Sequence, residues 1–258
     1  MKALINEIVT WLKTNGASTV GISNVERFNG APRGHHPSDF LNEARSVVTF
    51  GVALLHQALH WEELLTNSKV VLPKHRKNVL QNYFYGQIGY AKVNDLLDRM
   101  ALHISNFLET RGYRSLFFPA TYDAAVEEFI HEHIPSHWGL FSQRHAAVMA
   151  GLGEFGLNNV VVTPQFGPRI RFNSVITEAE LIPNELLQQK VCLGESCSIC
   201  VHSCPGAITI RQDFDPKAIW YATPAYTDID ACGKLRTVHY CWGKCIKVCP
   251  VAKKSTRH

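Results

Sequence analysis

Eight cysteines, all between positions 192 and 249, are spaced as metal ligands. Cys192, Cys197, Cys200 and Cys204 end at Pro205, Cys232 stands alone, and Cys241, Cys245 and Cys249 end at Pro250. The C-x2-C-x3-C-P core from Cys197 is the bacterial iron–sulfur run, in which three thiolates hold one [4Fe-4S] cube and the cysteine before proline reaches a second. Three cysteines on a tight loop can face one cube. A cysteine about one helical turn further on points away from it, and the proline that follows limits how the backbone continues. This assigns Cys192, Cys197, Cys200 and Cys249 to one cluster and Cys204, Cys232, Cys241 and Cys245 to the other.

Two plainer chemistries compete. Disulfides suit small secreted domains, whereas here a long cysteine-free segment comes first and no export signal is visible. Zinc sites pair short cysteine knuckles and do not require the crossed C-x3-C-P ending twice. Cys192 stands five residues before Cys197, and Cys241 four before Cys245. Both gaps are wider than the usual run, and loop insertions accommodate them.

The elements that must carry these ligands come from a chain of 258 residues, 46% hydrophobic, enough for a full core with a small redox module on it. From Lys190 onward ten Lys/Arg face five Asp/Glu, against sixteen and seventeen before it, so the positive charge travels with the cysteines. A thiolate-ligated cube carries about −2, which nearby lysines would offset; a nucleic-acid patch is the sharper alternative. The opening MKALINEIVTWLKTNG holds Glu7 inside an amphipathic pattern and lacks an uninterrupted apolar core, which predicts neither signal peptide nor membrane span and a cytoplasmic protein.

Leu4, Ile5, Ile8, Trp11 and Leu12 recur at helical spacing, closed by Asn15-Gly16. Residues 19–23 and 46–54 are β-branched runs that predict strands, and Ser38 or Asp39 could cap a short helix between them. A single long helix is expected over 82–109, then strands at 115–119, 158–163 and 169–177. His131, His133 and His137 do not share a helix face and read as loop or pocket-rim residues. Residues 151–156 satisfy G-x-G-x-x-G, but a predicted helix at 143–150 precedes the loop and a β-rich run follows, the reverse of a dinucleotide site. Such glycines let backbone approach a large ligand, or merely other backbone.

Together, ARSVVTFGVAL, HAAVMAGLGEFGLNN, TPQFGPRIRFNSVITEAEL and the two Cys-Pro-ended motifs resemble the epoxyqueuosine reductases and the related reductive dehalogenases. The resemblance implies an α+β protein: a nitroreductase-like α/β domain over 1–185 that binds cobalamin, and a ferredoxin-like domain with two [4Fe-4S] clusters over 186–258. It implies a cytoplasmic reductase in which a ferredoxin or flavodoxin feeds the clusters, the clusters feed cobalt, and cobalt reduces a small molecule. Carried over, Ala150, Gly151, Leu152, Gly153 and Gly156 would lie against the corrin, with Asn158, Gly167 and Arg169 lining the same pocket. The family's catalytic Asp, in D-S/T-x-P-V-L-E, has no match here; His137 falls near its position, and Tyr122, Asp123, Arg144 and His145 are alternative proton donors. No D-x-H-x-x-G string occurs, so cobalamin is expected base-off without a protein imidazole below cobalt. The tRNA-modifying members continue well beyond the last cysteine, so action on tRNA unaided is not expected, and no twin-arginine signal is seen. An iron–sulfur electron carrier without corrinoid is the alternative reading.

Overall fold

In the computed structural model, residues 1–65, 74–121, 139–212, 223–238, 241 and 243–252 are described. The chain forms two compact units, one of residues 1–52, 94–154 and 171–190, the other of 53–93, 155–170 and 191–258. Among the described residues no helix is long and apolar enough to cross a membrane.

The first unit is built on a four-stranded sheet in the order β1-β2-β6-β3. Its strands are β1 (Thr19–Asn24), β2 (Ser46–Ala53), β6 (Ile170–Thr177) and β3 (Ser115–Phe117). β1 runs antiparallel to β2 with Thr19 opposite Gly51, and β3 antiparallel to β6 with Ser115 opposite Thr177. The central β2 is buried at seven consecutive positions, which explains why its sequence does not alternate between apolar and polar: both of its faces are covered. Helix α1 (Lys2–Thr14) buries Leu4, Ile8 and Leu12, and α5 (Lys92–Glu109) buries Leu97, Met100, Ile104 and Leu108. Some of the polar side chains inside this unit are paired. Asp98 accepts hydrogen bonds from the Ala120 N–H at 2.7 Å and the Asn173 amide at 2.8 Å, and burial pushes its carboxyl above the ordinary value against those bonds.

Helix α6 (Gln143–Met149) ends in the glycine motif. The Leu152 N–H bonds the Ala147 carbonyl and the Gly151 N–H bonds the Val148 carbonyl, with Gly151 at φ +72°. This is a Schellman closure, so the first glycine of G-x-G-x-x-G is a helix stop. The rest of the motif continues through β4 (Glu154–Phe155), whose partner is β5 (Val161–Val162).

Three local expectations change. The short helix α2 (Pro37–Phe40) is capped by His36, whose ring accepts from the Ser38 N–H while Asp39 reaches back to the His36 N–H; neither Ser38 nor Asp39 is the cap. The strand expected over 158–163 shrinks to β5, because Asn159 sits at φ +55° and Thr163 turns back on Gly167. The single helix expected over 82–109 is divided, with Asn82–Ala91 π-helical ahead of α5. Two glycines, Gly86 and Gly89, loosen that stretch, and the lack of a side chain at Gly89 admits Ala58 of α3 (His56–Leu59), whose Cβ lies 3.3 Å from where a Gly89 Cβ would be. Helix α4 (Lys74–Gln81) precedes it.

Candidate metal centre

The second unit holds all eight cysteines, each half-buried and none in a disulfide. Two short helices position most of them in the same way. Ser198, at φ +42°, opens α7 (Ile199–His202) with Cys200 second in the helix and Cys204 four residues later. Gly243, at φ +68°, opens α9 (Lys244–Lys247) with Cys245 second and Cys249 four residues later. Each helix thus starts from a left-handed residue, presents one cysteine in its first turn, and delivers a second just past its end, before proline. Helix α8 (Ile229–Val238) supplies Cys232, and its first turn is held by Asp228, which accepts from the Ala231 N–H at 2.8 Å. The hairpin of β7 (Ile208–Ile210) and β8 (Ala225–Thr227) joins α7 to α8.

Cys192, Cys197, Cys200 and Cys249 line one cavity, walled otherwise by apolar groups that include Leu157, Val162 and Pro250. Burial pushes the Cys200 thiol up to about 11, with Cys192 and Cys249 adding repulsion. Burial likewise raises Cys249, which also feels Cys192 and Cys197, while Arg169 pulls it down. Around the other group, burial pushes Cys245 up to about 12, and Cys241, Cys232, Cys200 and Cys204 add to it. Cys241 is raised by burial and by Cys204, against the pull of the Lys244 backbone and charge. Crowded thiols that resist ionisation in a dry pocket become thiolate ligands only when a cation compensates them, and that is the chemistry of a metal or iron–sulfur site. The donor set fits two cubes.

Arg169, 2% exposed, ties this centre down. Its Nη1 donates to the Cys249 carbonyl at 3.0 Å and its Nη2 to the Val251 carbonyl. Burial lowers its own pKa, and the neighbouring Cys249 raises it. Gly167, at φ +56°, is equally committed, since a Cβ there would meet the Val251 carbonyl oxygen at 2.5 Å. Asn158 donates to the Cys245 carbonyl at 3.4 Å, and its Oδ1 is buried without a hydrogen-bond partner. Gly156 has Val162 and Asn158 in the space a Cβ would take, with the Cys192 sulfur 3.6 Å away. So Gly156, Asn158, Gly167 and Arg169 gather at the cysteine loops of this unit. In the first unit Ala150 and Gly151 close α6, Leu152 packs where a Gly21 Cβ would be, and Gly153 is buried.

Of the candidate proton donors, Tyr122, Asp123 and His137 lie outside the described residues, as do His131 and His133. Arg144 is exposed on α6. His145 is half-buried, its Nδ1 2.7 Å from the Ser142 hydroxyl that also caps the helix. Tyr85, on the π-helix, was not legible as part of the centre: its ring lies 2.8 Å from the position of a Gly243 Cβ, against the turn that bears Cys241 and Cys245.

In protein reconstituted with iron and sulfide, replacing Arg169 by Gln is expected to loosen the 249–251 loop and to make a cluster held by Cys249 harder to reduce, because a fixed positive charge that favours an added electron is removed. An EPR-monitored redox titration should place that cluster's midpoint below the wild-type value; an unchanged midpoint would show that Arg169 acts on loop geometry alone.

A mixed helix-and-sheet protein with paired cysteine loops is the class that fold and site define. No family model matches the chain. It is 32% identical over 124 residues to the tetrachloroethene reductive dehalogenase of Desulfitobacterium hafniense, covering 43% of this chain and 22% of that protein. It is 22% identical over 227 residues to the epoxyqueuosine reductase of Bacillus anthracis, covering 86% of this chain and 52% of that one. Its fold matches an epoxyqueuosine reductase solved with a tRNA-Tyr stem loop at TM-score 0.60 and 17% identity, over 100% of this chain and 67% of that one. It matches a reductive dehalogenase at TM-score 0.53 and 16% identity, over 94% and 31%. The chain is similar to reductive dehalogenases and epoxyqueuosine reductases, which are oxidoreductases, as its sequence motifs led one to expect. It spans about a fifth of the dehalogenase and about half of the curated epoxyqueuosine reductase.

Proposed function

We propose that the protein is a cytoplasmic iron–sulfur reductase of corrinoid type, with a nitroreductase-like domain over 1–185 and a ferredoxin-like domain over 186–258. The observation that carries this reading is the single cavity lined by Cys192, Cys197, Cys200 and Cys249, which brings together residues 57 positions apart in the combination the C-x3-C-P spacing predicts. In this reading those four thiolates hold one [4Fe-4S] cube, and Cys204, Cys232, Cys241 and Cys245 hold the second. Arg169 fixes the Cys249 loop and adds a positive charge beside it. A ferredoxin or flavodoxin supplies the electrons, and a small molecule is reduced. Bound cobalamin would supply a low-valent cobalt as the reductant of that substrate. His145, in the family's motif region, is the one half-buried titratable side chain among the described candidates for the proton donor.

The carrier reading, clusters without corrinoid, has its own support. At Gly151 the space a Cβ would take is filled by the Glu185 carbonyl, and at Gly167 by the Val251 carbonyl, so these two glycines serve the chain's own backbone and offer no bare face to a macrocycle. A tRNA substrate, as in the solved relative with its stem loop, is the third outcome of the test.

The experiment is anaerobic reconstitution with iron, sulfide and cobalamin, then desalting and metal analysis. The reductase reading expects about eight iron, the content of two cubes, and about one cobalt per chain. Eight iron with no retained cobalt would replace it by the carrier reading. Salt-dependent retention of a tRNA stem loop would revive the tRNA reading.

A further inference from the structure

A second cluster of ligand-type side chains lies in the same unit and owes nothing to the cysteines. Helix α3 carries His56 and is closed by His60, and the 3-10 turn Trp61–Leu65 that follows carries Glu63. The i, i+4 spacing puts both imidazoles on one face, and their rings stack with centroids 4.4 Å apart and 15° between planes. Both point at one carboxylate. His56 Nε2 lies 3.2 Å from Glu63 Oε2, and His60 Nδ1 lies 3.6 Å from Glu63 Oε1. One donor atom from each residue lies within 4.8 Å of the others. Bonds of about 2.0–2.2 Å in a tetrahedral zinc site place neighbouring ligand atoms about 3.3–3.6 Å apart. Both His–Glu63 pairs already lie near that separation, and the two stacked imidazoles must turn about their side-chain torsions for their lone pairs to converge on one ion.

We propose that His56, His60 and Glu63 form a binding site for a first-row divalent transition metal, zinc being the type, with the remaining position left to water.

Glu62 and Lys247 flank the site. Glu62 is occupied by Lys247, whose Nζ lies 2.6 Å from its carboxylate, so that cation is partly neutralised before it reaches the metal site. Lys247 also follows Cys245 by two residues, which sets the proposed ion beside the loop of the second cysteine group. Two histidines and a glutamate with an open position form the kind of ligand set in which zinc activates water; the proposal here requires only binding.

The test uses the full chain with its clusters loaded, so that the cysteines do not take up zinc. The protein is dialysed anaerobically against buffered zinc, desalted, and measured for zinc and iron together. Wild type should retain about one zinc per chain, the count of a single site. His60→Ala and Glu63→Gln should each bind zinc more than about 100-fold more weakly, since loss of an outer-sphere partner alone costs 10–100-fold. Their iron content should match the wild type, which separates loss of the site from loss of the fold. No zinc on wild-type protein, or equal zinc on wild type and on His56→Ala/His60→Ala, overturns the proposal. Neither result bears on cobalt uptake, so this site and the reductase reading stand or fall separately.

Discussion

Cys249→Ala is expected to lower the iron content from about eight to about four per chain and to erase the EPR signal that Cys197→Ala also erases, while Cys204→Ala erases the other. Cys249 ends the second cysteine run but lines the cavity of Cys192, Cys197 and Cys200. Its thiol feels Cys192 and Cys197, with Arg169 as the opposing charge. The parallel geometry of α7 and α9 gives the reason: each helix presents its early cysteine to one group and passes the cysteine before proline to the other. A variant pair in which Cys249→Ala and Cys197→Ala abolish different signals would replace the crossed wiring with two sequential sites.

Gly151→Ala is expected to destabilise the first unit by ~3 kcal/mol, combining about 1–2 kcal/mol for a left-handed alanine with the 1–3 kcal/mol typical of overpacking. Gly151 sits at φ +72°, and a Cβ there would lie 2.0 Å from the Glu185 carbonyl oxygen, an overlap with backbone that no rotamer relieves. For a chain of this size the melting temperature should fall by roughly 10 °C. Gly112 is the control: it too is left-handed, at φ +83°, but nothing lies within 4 Å of its Cβ position. Gly112→Ala should therefore cost only the conformational share, about 1 kcal/mol. Equal melting temperatures for the two variants would mean that the 185 backbone yields and that the loop has room for a ligand.

Local signals in the sequence read through to the structure where a short-range cause was sufficient. The amphipathic stripe of α1, its Asn15-Gly16 stop, the apolar run of β2 and the helix before Gly151 all rest on neighbours within a few residues. The grouping of Cys192 with Cys197 and Cys200 has the same origin. What was illegible depends on distant partners. Arg169 finds the Cys249 carbonyl 80 residues away, and Tyr85 finds the 241–245 turn. The π-helical stretch at Asn82–Ala91 has the polarity pattern of an ordinary helix, and only its packing against Ala58 distinguishes it. His56, His60 and Glu63 show a readable spacing, but apolar and polar periodicity alone does not separate such a trio from a solvated helix end.

The long reach of Arg169 to Cys249 also has a temporal side. Cys200 leaves the ribosome 49 residues ahead of Cys249, an interval of about 2.5–10 s at 5–20 residues per second. During that interval the crossed arrangement leaves three thiols and a buried guanidinium waiting for a segment still being synthesised. Cluster delivery before that moment would meet an incomplete coordination shell, and oxidants acting on the nascent chain would strike the 192–200 loop first.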